Sequence, residues 1–398
     1  MGNSWRFDGR EINYIKEVLD SGFASGTSGS MNTRLERAFA ERFDRRYAVT
    51  FNSGTTSLHA SLWALGVGYG DEVITTPLTV ISCMNAILAC NAIPVFADVD
   101  PDTFLIDPES IRKRITPKTK AIMPVHLYGQ VCDMTSIMDI AKEFNLGVVE
   151  DSAQCYLGTH KGKYGGTFGD VASWSLENSK HITTGDGGII ACDDEELATR
   201  IRKLSCQGFR NATAESGKVR VDKNLFQNPS YKRHDSYGFM YRLPEIAAAM
   251  GLAQLEKLDY LVFLRMNMAY RYHAVIRDCE WLIPQKHSYG YIKDDVHSYY
   301  TFSLKFLHPD VSWVEFRNKY VSLGGDGIYA AWTLCYNEDS IPEVAMMLNR
   351  MKLSWCHHDC FNAEKIQPQL MQFTTNQGSF GEMDKQQDIL DKTMRYFT

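Results

Sequence analysis

The feature that most constrains the fold of this chain is an alternation of short apolar runs and amphipathic stretches between residues 47 and 204. Runs of this kind, bounded by glycine and polar residues, predict strands, and apolar residues at helical spacing between them predict helices. Because such alternation favours parallel pairing, we expect an α/β protein with a mostly parallel central sheet flanked by helices. The predicted strands are 47–51, 72–76, 93–97, 121–125, 146–150, 171–176 and 188–192, and the predicted helices are 34–43, 57–65, 81–90, 108–115, 134–144 and 195–204.

The alternation stops after residue 208, where a long polar stretch without periodicity begins. A helix is predicted over 244–258, followed by a second helix that runs through Arg271. Strands such as 298–306 then mix with helices such as 314–323 and 385–396. We therefore expect a large α/β domain over 1–258 and a smaller C-terminal α+β domain over 259–398. The glycine- and serine-rich segment 21–30 predicts a flexible loop between two ordered pieces.

Composition excludes several functional classes. The net charge is −6 with 44% apolar residues, and no basic stripe with interleaved aromatics is present, so we expect no nucleic-acid partner. The apolar runs are too short for a membrane span, and residues 1–10 lack the apolar core of a signal peptide. The ten cysteines show no repeated spacing, which favours free thiols. These features predict a soluble cytoplasmic protein.

Three strand ends carry candidate ligand-binding residues, because ligands of parallel sheets bind at the carboxyl ends of the strands. At the first, a strand turns through Asn52, Ser53, Gly54, Thr55 and Thr56 directly into a helix. Free backbone amides and hydroxyl groups at a helix N-terminus bind phosphate. The alternative is an ordinary Ser/Thr cap on that helix.

The second strand end is the apolar run that finishes in Glu150 and Asp151, followed by Gln154. A carboxylate at this edge can hold a protonated pyridine nitrogen, and Gln154 can donate to a ring phenolate. Alternatively, Asp151 caps the next helix.

The third strand end places Ser175 a few residues before Lys180 and a glycine-rich turn. A lysine removed from water shifts toward the neutral amine, which can form a Schiff base with an aldehyde, whereas most lysines are solvated surface charges. Ser175 can supply a further phosphate donor. A phosphate site, a pyridinium partner, a phenolate donor and a lysine form together the set that pyridoxal phosphate requires.

Several short motifs of the sequence are similar to those of one known family. The chain resembles the sugar aminotransferases of the DegT/DnrJ/EryC1/StrS group, which are fold type I enzymes dependent on pyridoxal phosphate. The resemblance is dense from about residue 21 to residue 259 and weak in the C-terminal part. The matching words are SGTTSLH at 53–59, GDEVI at 70–74, HLYGQ at 126–130, EDSAQ at 150–154, GTFGD at 166–170, SKHITTGDGG at 179–188 and GLAQLEKLD at 251–259.

The resemblance implies a role for each matching residue. Lys180 would form the Schiff base with the cofactor and then move the proton between the substrate carbon and the cofactor. Asp151 would keep the pyridine nitrogen protonated, and Gln154 would contact the ring hydroxyl. The phosphate would be held by Gly54, Thr55, Thr56 and Ser175. Domain 1–258 would then bind the cofactor.

The resemblance also implies the reaction and the assembly. We expect a homodimer with active sites at the subunit interface, in which an amino group moves from an amino acid, L-glutamate, to a keto sugar linked to a nucleotide. Segment 21–30 would cover the sugar site. The pyridoxamine form of the cofactor carries the amino group between the two half-reactions. The product would belong to deoxyamino-sugar and polysaccharide biosynthesis.

Two positions depart from the family pattern. Val80 lies where the family has an aromatic ring stacked on the cofactor. Met240 lies where an asparagine reaches the phosphate of the neighbouring subunit, and we expect Lys232 or Arg233 to replace it as a point charge.

Three other functions remain open. An aminotransferase that acts on a free cyclitol ketone would have nearly the same sequence. A related 3-dehydratase would carry histidine instead of Lys180, unless the register of 179–181 slips by one residue. A non-catalytic sensor or interaction dimer is the third.

Other residues with suitable chemistry are not predicted to be catalytic. The run 356–360 contains cysteines and histidines, but its spacing does not match a structural zinc site, so no metal is expected. His59 is expected to pack near the phosphate turn, and His126 ends a strand near the ligand edge. The family's substrate-side positions correspond here to His297, Tyr329 and Trp332.

Overall fold

The computed structural model describes residues 3–217, 221–287, 295–355 and 359–398. In these ranges the strands are β1 (Tyr47–Phe51), β2 (Glu72–Thr75), β3 (Ile93–Phe96), β4 (Thr119–Ile122), β5 (Gly147–Asp151), β6 (Thr159–His160), β7 (Lys163–Tyr164), β8 (Val171–Ser175), β9 (Gly188–Cys192), β10 (Leu282–Pro284), β11 (Thr301–Phe306), β12 (Ile328–Ala330) and β13 (Leu370–Thr374). The helices are α1 (Gly9–Asp20), α2 (Met31–Arg42), α3 (Gly54–Ala64), α4 (Ser82–Ala89), α5 (Pro108–Arg114), α6 (Met134–Phe144), α7 (Glu195–Ser205), α8 (Lys223–Phe226), α9 (Glu245–Leu255), α10 (Leu258–Ile276), α11 (Trp313–Ser322), α12 (Ile341–Arg350), α13 (Phe361–Ile366) and α14 (Phe380–Phe397). Short 3-10 turns lie at Asn3–Arg6, Leu127–Gly129, Cys335–Asn337 and Gln367–Gln369.

A seven-stranded sheet forms the centre of the molecule, in the order β1-β9-β8-β5-β4-β2-β3. The pairs β8/β5, β5/β4, β4/β2 and β2/β3 are parallel, whereas β9 is antiparallel to both of its neighbours. The predicted α/β class with a mostly parallel sheet is therefore confirmed. The direction of β9 is the difference from a fully parallel arrangement.

The central strands are short and apolar. Their side chains are apolar because helices cover both faces of the sheet. Every residue of β1, β8 and β9 is buried. Side-chain oxygens fix where several of these helices begin: Asp133 accepts from the amide of Ser136 at the start of α6, and Asp194 accepts from that of Leu197 at the start of α7. The starts of these helices are therefore set locally by side-chain caps.

A smaller antiparallel sheet, β10-β11-β13-β12, follows in the C-terminal part. Its core includes Phe302, Phe373 and Leu390, and it packs against α10, α11 and α14. Helix α10 contributes Leu258 to one core cluster and Leu264 to the other. It therefore joins the two parts, and the domain boundary near Asp259 stays a prediction.

Some element bounds differ from the predictions. The helix predicted over 244–258 ends at Leu255, and α10 begins after a short break. Helix α14 begins at Phe380 because the Ser379 side chain accepts a hydrogen bond from the amide of Glu382, five residues before the predicted start at 385. No helix in the ranges that the structure describes is long and apolar enough to cross a membrane. The nine cysteines in those ranges are free thiols.

Candidate active site

The turn between β1 and α3 offers unpaired backbone donors. The Ser53 hydroxyl oxygen caps α3 by accepting from the amide of Thr56 at 3.2 Å. In the described part of the chain the amides of Gly54 and Thr55 donate to no other group. The half-buried hydroxyl of Thr55 donates to Ser82 at 2.9 Å. Free amides at the start of an eleven-residue helix form a site for an anion such as phosphate.

Two glycines allow this turn to lie against the neighbouring strand ends. A Cβ atom on Gly54 would lie 3.0 Å from the Cβ of Ser175, and one on Gly188 would lie 2.4 Å from the carbonyl oxygen of Ser53. The turn therefore packs on the end of β8 and the beginning of β9. The structure brings Gly54 and Ser175 together, as the sequence predicts.

Asp151 is the last residue of β5 and is 5% exposed. Its Oδ1 accepts from the amide of Ala153 at 2.9 Å, and its Oδ2 accepts from the Cys83 thiol at 3.1 Å. Burial, followed by the nearby Asp151 charge, raises the pKa of Cys83 well above its ordinary value, so the thiol remains a donor. Asp151 is thus a buried carboxylate whose hydrogen bonds from described residues come from an amide and a thiol and not from a cation.

Gln154 has a fixed orientation. Its Oε1 accepts from the amide of Tyr128 at 2.8 Å. Its side-chain nitrogen donates no hydrogen bond to any described residue, and it therefore can donate to a ligand oxygen. Tyr128 has a φ of 63°, a left-handed conformation rare for this residue type, and this conformation directs its amide at Gln154.

Glu150 and His126 have structural roles. The fully buried Glu150 carboxylate accepts from the amides of Gly166, Phe168 and Gly169 and from His126 Nε2 at 2.9 Å. Burial would raise the pKa of Glu150, but the hydrogen bonds from His126 and from these glycine amides hold it below its ordinary value. His126 Nδ1 accepts from the amide of Cys132, so both ring nitrogens are used within the protein.

Lys180 lies in the connection between β8 and β9 and is 8% exposed. Its Nζ lies 4.5 Å from the centroid of the Tyr300 ring. Its carbonyl oxygen accepts from Arg6 at 2.7 Å and from Arg265 at 3.2 Å. Burial, followed by the charge of Arg6, lowers the pKa of Arg265 to about 9. Two buried guanidinium groups therefore fix the backbone of the lysine.

The remaining candidates are distributed as follows. His59 is buried, and its Nδ1 lies 3.2 Å from the Tyr241 hydroxyl. His297 is buried and stacks on Tyr299 with ring centroids 3.8 Å apart. The Sδ of Met240, which is 49% exposed, accepts from Arg242. The other five candidates have half-buried or exposed side chains: Val80, Lys232, Arg233, Tyr329 and Trp332.

No group of potential metal ligands occurs among the residues that the structure describes. Cys356, His357 and His358 of the candidate run 356–360 lie outside them.

Four neighbours of the site were not predicted. Cys83 contacts Asp151, whereas Tyr300, Arg6 and Arg265 contact Lys180 or its backbone. The sequence gives only a weak signal for Cys83, namely that it is a polar residue in the first turn after Val80. Sequence patterning carries no signal for the others, since Tyr300 is 120 positions from Lys180 in the chain.

The donor set fits pyridoxal phosphate. Free amides at the start of α3 suit the phosphate, the buried Asp151 carboxylate suits a protonated ring nitrogen, and the free amide of Gln154 suits a ring oxygen. The amine of Lys180 supplies the nucleophile for an aldehyde.

Comparison with known proteins adds to this geometry. A model of the DegT/DnrJ/EryC1/StrS aminotransferase family matches residues 6–312. The GDP-perosamine synthase of Caulobacter vibrioides is 43% identical over 64% of this chain and 64% of that protein. The GDP-perosamine synthase of Escherichia coli O157:H7 is 39% identical over 74% of this chain and 75% of that protein.

Solved structures are similar over nearly the whole chain. An aminotransferase from Psychrobacter cryohalolentis superposes with a TM-score of 0.87 at 28% identity, covering 98% of both chains. The protein ntda of Bacillus subtilis, solved with bound cofactor pmp, superposes with a TM-score of 0.80 at 26% identity, covering 99% of this chain and 84% of that one.

Proposed function

Because the chain belongs to the DegT/DnrJ/EryC1/StrS aminotransferase family, we propose that it moves an amino group from L-glutamate to a nucleotide-linked keto sugar. The names of two relatives, GDP-perosamine synthases, support a GDP-linked sugar as the first acceptor to test. The observation that carries the proposal is the position of the buried Lys180 between β8 and β9, on the strand edge that also carries Asp151 and the free amides of α3.

The cofactor of the family supplies an electron-withdrawing ring that stabilises negative charge on the substrate carbon and carries the amino group between donor and acceptor. We infer that the amides of Gly54 and Thr55, with the Ser175 hydroxyl, hold its phosphate. The hydroxyls of Thr55 and Thr56, which donate to Ser82 and Asn52, would join them by rotating away from these partners. The Asp151 carboxylate would keep the ring nitrogen protonated, since a buried negative charge favours the protonated partner. Gln154 would donate to the ring oxygen through its free side-chain nitrogen.

Lys180 performs the proton transfers. Its Nζ accepts the α proton of the amino-acid donor and, in the second half-reaction, donates a proton to the sugar carbon that receives nitrogen. The 8% exposure of the side chain supports this role, because it places the amine in a largely enclosed site. The two guanidinium groups on its carbonyl restrict the region that the amine can reach.

The adjacent histidine is a poor candidate for the same role. His181 is 1% exposed, and its Nε2 lies 3.0 Å from the carbonyl oxygen of Ser298. Burial, followed by the charge of Arg265, lowers the pKa of His181 well below its ordinary value. These contacts support a register in which Lys180 is the reactive residue, which favours the aminotransferase over the dehydratase.

We further propose that the protein acts as a homodimer with active sites at the interface. The exposed Tyr237 and Met240 lie on a segment that pairs with Cys206 through an isolated bridge, and exposed apolar side chains on a fixed backbone suit a subunit contact. Sedimentation velocity of the wild-type chain and of Tyr237→Ser/Met240→Ser tests this. We expect a dimer for the wild type and a shift toward monomer for the double variant.

Absorbance spectroscopy tests the proposed function. Purified protein loaded with pyridoxal phosphate is expected to show a band of lysine-bound cofactor that L-glutamate converts to the pyridoxamine form. Lys180→Ala is expected to lose both the band and turnover, whereas the exposed Lys142→Ala control keeps them. Turnover by Lys180→Ala at the wild-type rate would refute the assignment. Absence of cofactor binding by the wild type would favour the sensor.

A further inference from the structure

The amine end of Lys180 has an unusual environment. Its Nζ lies over the Tyr300 ring, 4.5 Å from the centroid. Among the described residues no carboxylate lies within 4.0 Å of this nitrogen, and no acceptor takes a hydrogen bond from it. An ammonium that no carboxylate neutralises is stabilised here by the negative face of the Tyr300 ring.

The Tyr300 hydroxyl is engaged elsewhere. It lies 2.8 Å from the Ser179 hydroxyl, which in turn donates to the Glu177 carboxylate. These contacts anchor the edge of the ring, whose face lies toward Lys180, and the guanidinium carbon of Arg265 lies farther from the same centroid, at 5.8 Å. The ring face and the hydroxyl therefore have separate partners, and their contributions can be measured separately.

Arg265 fixes the distance between Tyr300 and Lys180. One of its nitrogens donates to the carbonyl of Tyr300 at 2.8 Å, and the other donates to the carbonyls of Ser179 at 3.0 Å and Lys180 at 3.2 Å. A guanidinium is planar and rigid, so a single group holds both backbones in register. Arg6 donates to the same Lys180 carbonyl from the opposite end of the chain.

We propose that Tyr300 is a positioning residue whose ring face receives the ammonium that forms when the freed Lys180 amine takes up a proton. This inference rests on the proposed function, since transamination frees the lysine in every turnover. The ring holds this ammonium near the site until its proton is passed on. The ring face, and not the hydroxyl, is the group that acts on the ammonium.

Chemical labelling of Lys180 in the full-length, cofactor-free protein tests this proposal. Trinitrobenzenesulfonate reacts with neutral amines, and mass spectrometry of the peptides gives the rate at each lysine. The matched pair is Tyr300→Phe, which keeps the ring, and Tyr300→pentafluorophenylalanine, which keeps the shape but reverses the charge distribution of the ring face. Lys257, which is half-buried and paired with Glu11, serves as the internal control for general loosening.

We expect Tyr300→Phe to label Lys180 at close to the wild-type rate. The pentafluoro variant is expected to label it about tenfold faster, because the ammonium loses its attraction to the ring. Labelling of Lys257 should be the same in all three proteins. Equal rates at Lys180 for the two variants, or equal acceleration at Lys257, would overturn the proposal. The assay needs neither cofactor nor substrate, so its result is independent of whether the protein transaminates.

Discussion

Glu150 and Asp151 are neighbours in β5 but have opposite functions. Successive side chains of a strand point to opposite faces of the sheet. Glu150 therefore meets His126 and the loop 166–169, whereas Asp151 meets Cys83 and the proposed cofactor site. The Glu150 carboxylate stabilises the fold, whereas the Asp151 carboxylate faces the proposed cofactor site. Replacing Glu150 should therefore affect stability, and replacing Asp151 should affect activity.

Glu150→Gln is expected to reduce stability in a pH-dependent way. The folded-state pKa of Glu150 lies below its ordinary value, so its carboxylate stabilises the fold above the unfolded pKa of about 4.3, and this stabilisation is lost as the pH falls through the folded-state pKa. Urea titration should show a loss of about 2–4 kcal/mol in the variant at pH 7 and a progressively smaller one as the pH is lowered through the folded-state pKa of Glu150.

The control for this measurement is Glu143→Gln, which breaks an exposed ion pair with Arg112. Such a pair contributes under about 1 kcal/mol, so the control should remain close to the wild type. A loss in Glu150→Gln that is independent of pH would show that the carboxylate charge is not what stabilises loop 166–169.

Asp151→Asn is expected to affect activity rather than the fold. The amide has the size of the carboxylate but lacks the charge that keeps a ring nitrogen protonated. We expect the transamination rate to fall by about two to three orders of magnitude, with thermal unfolding little changed. Cys83→Ser, which retains a donor to Oδ2, is the matched control and should stay within a few-fold of the wild type. Wild-type turnover by Asp151→Asn would exclude this role.

At the scale of elements, the contact between β9 and the phosphate turn depends on Gly188. A Cβ atom there would lie 2.4 Å from the carbonyl oxygen of Ser53, so the start of α3 would have to move. We expect Gly188→Ala to cost about 1–3 kcal/mol of stability and to weaken cofactor binding. Denaturant titration and fluorescence titration with pyridoxal phosphate measure the two effects.

Gly9→Ala is a suitable control for Gly188→Ala. No atom lies within 4 Å of the Cβ that it would add at the first residue of α1. It should leave both stability and cofactor affinity close to the wild-type values. Weakened cofactor binding in the control as well would mean that the effect is not specific to the phosphate turn.

The sequence predicts the elements around the site better than their pairing. Strands β1 and β9 and helix α6 have the predicted bounds, because short apolar runs and helical spacing are local signals. The antiparallel direction of β9 was missed, although 176–187 lacks helical periodicity and parallel neighbours usually need a helical crossover. The adjacency of β1 and β9 leaves no local trace, since the two strands are far apart in the chain.

The residues of the candidate site likewise differ in whether the sequence predicts them. Motifs identify Lys180, Asp151 and Gln154, because each follows a strand that the apolar pattern predicts. The contacts of Tyr300 with Lys180 and of Cys83 with Asp151 depend on how distant segments fold together. No periodicity records these contacts, and only the three-dimensional arrangement brings them into view.

At the scale of the whole molecule, Arg6 and Arg265 join three parts of the chain on one carbonyl oxygen. The N-terminal turn, α10 and the loop that carries Lys180 meet there, and Arg265 also donates to Tyr300 and Thr375 beside the smaller sheet. Neither guanidinium forms an ion pair within 4.0 Å with a carboxylate in the described ranges. Their hydrogen bonds therefore carry the cost of burying them.

A double-mutant cycle on Arg6→Ala and Arg265→Ala is expected to be non-additive. Either variant leaves the Lys180 carbonyl with one donor, and the double variant leaves it with none. We expect each single change to cost about 1–3 kcal/mol and the coupling to exceed about 0.5 kcal/mol, measured by denaturant unfolding. Arg112→Ala combined with Arg6→Ala is the control and should be additive. Additivity of Arg6 and Arg265 would show that they act independently.

The connection between β8 and β9 leaves the central sheet and returns on the strand directly beside the one that it left. Its two ends are therefore about 5 Å apart. An insertion or deletion within 176–187 would move the amine relative to the phosphate turn, while the register of the seven strands stays as it is. Segment 176–187 can therefore be exchanged as a unit. Swapping it between relatives offers a direct route to relocating the reactive nitrogen on an unchanged scaffold.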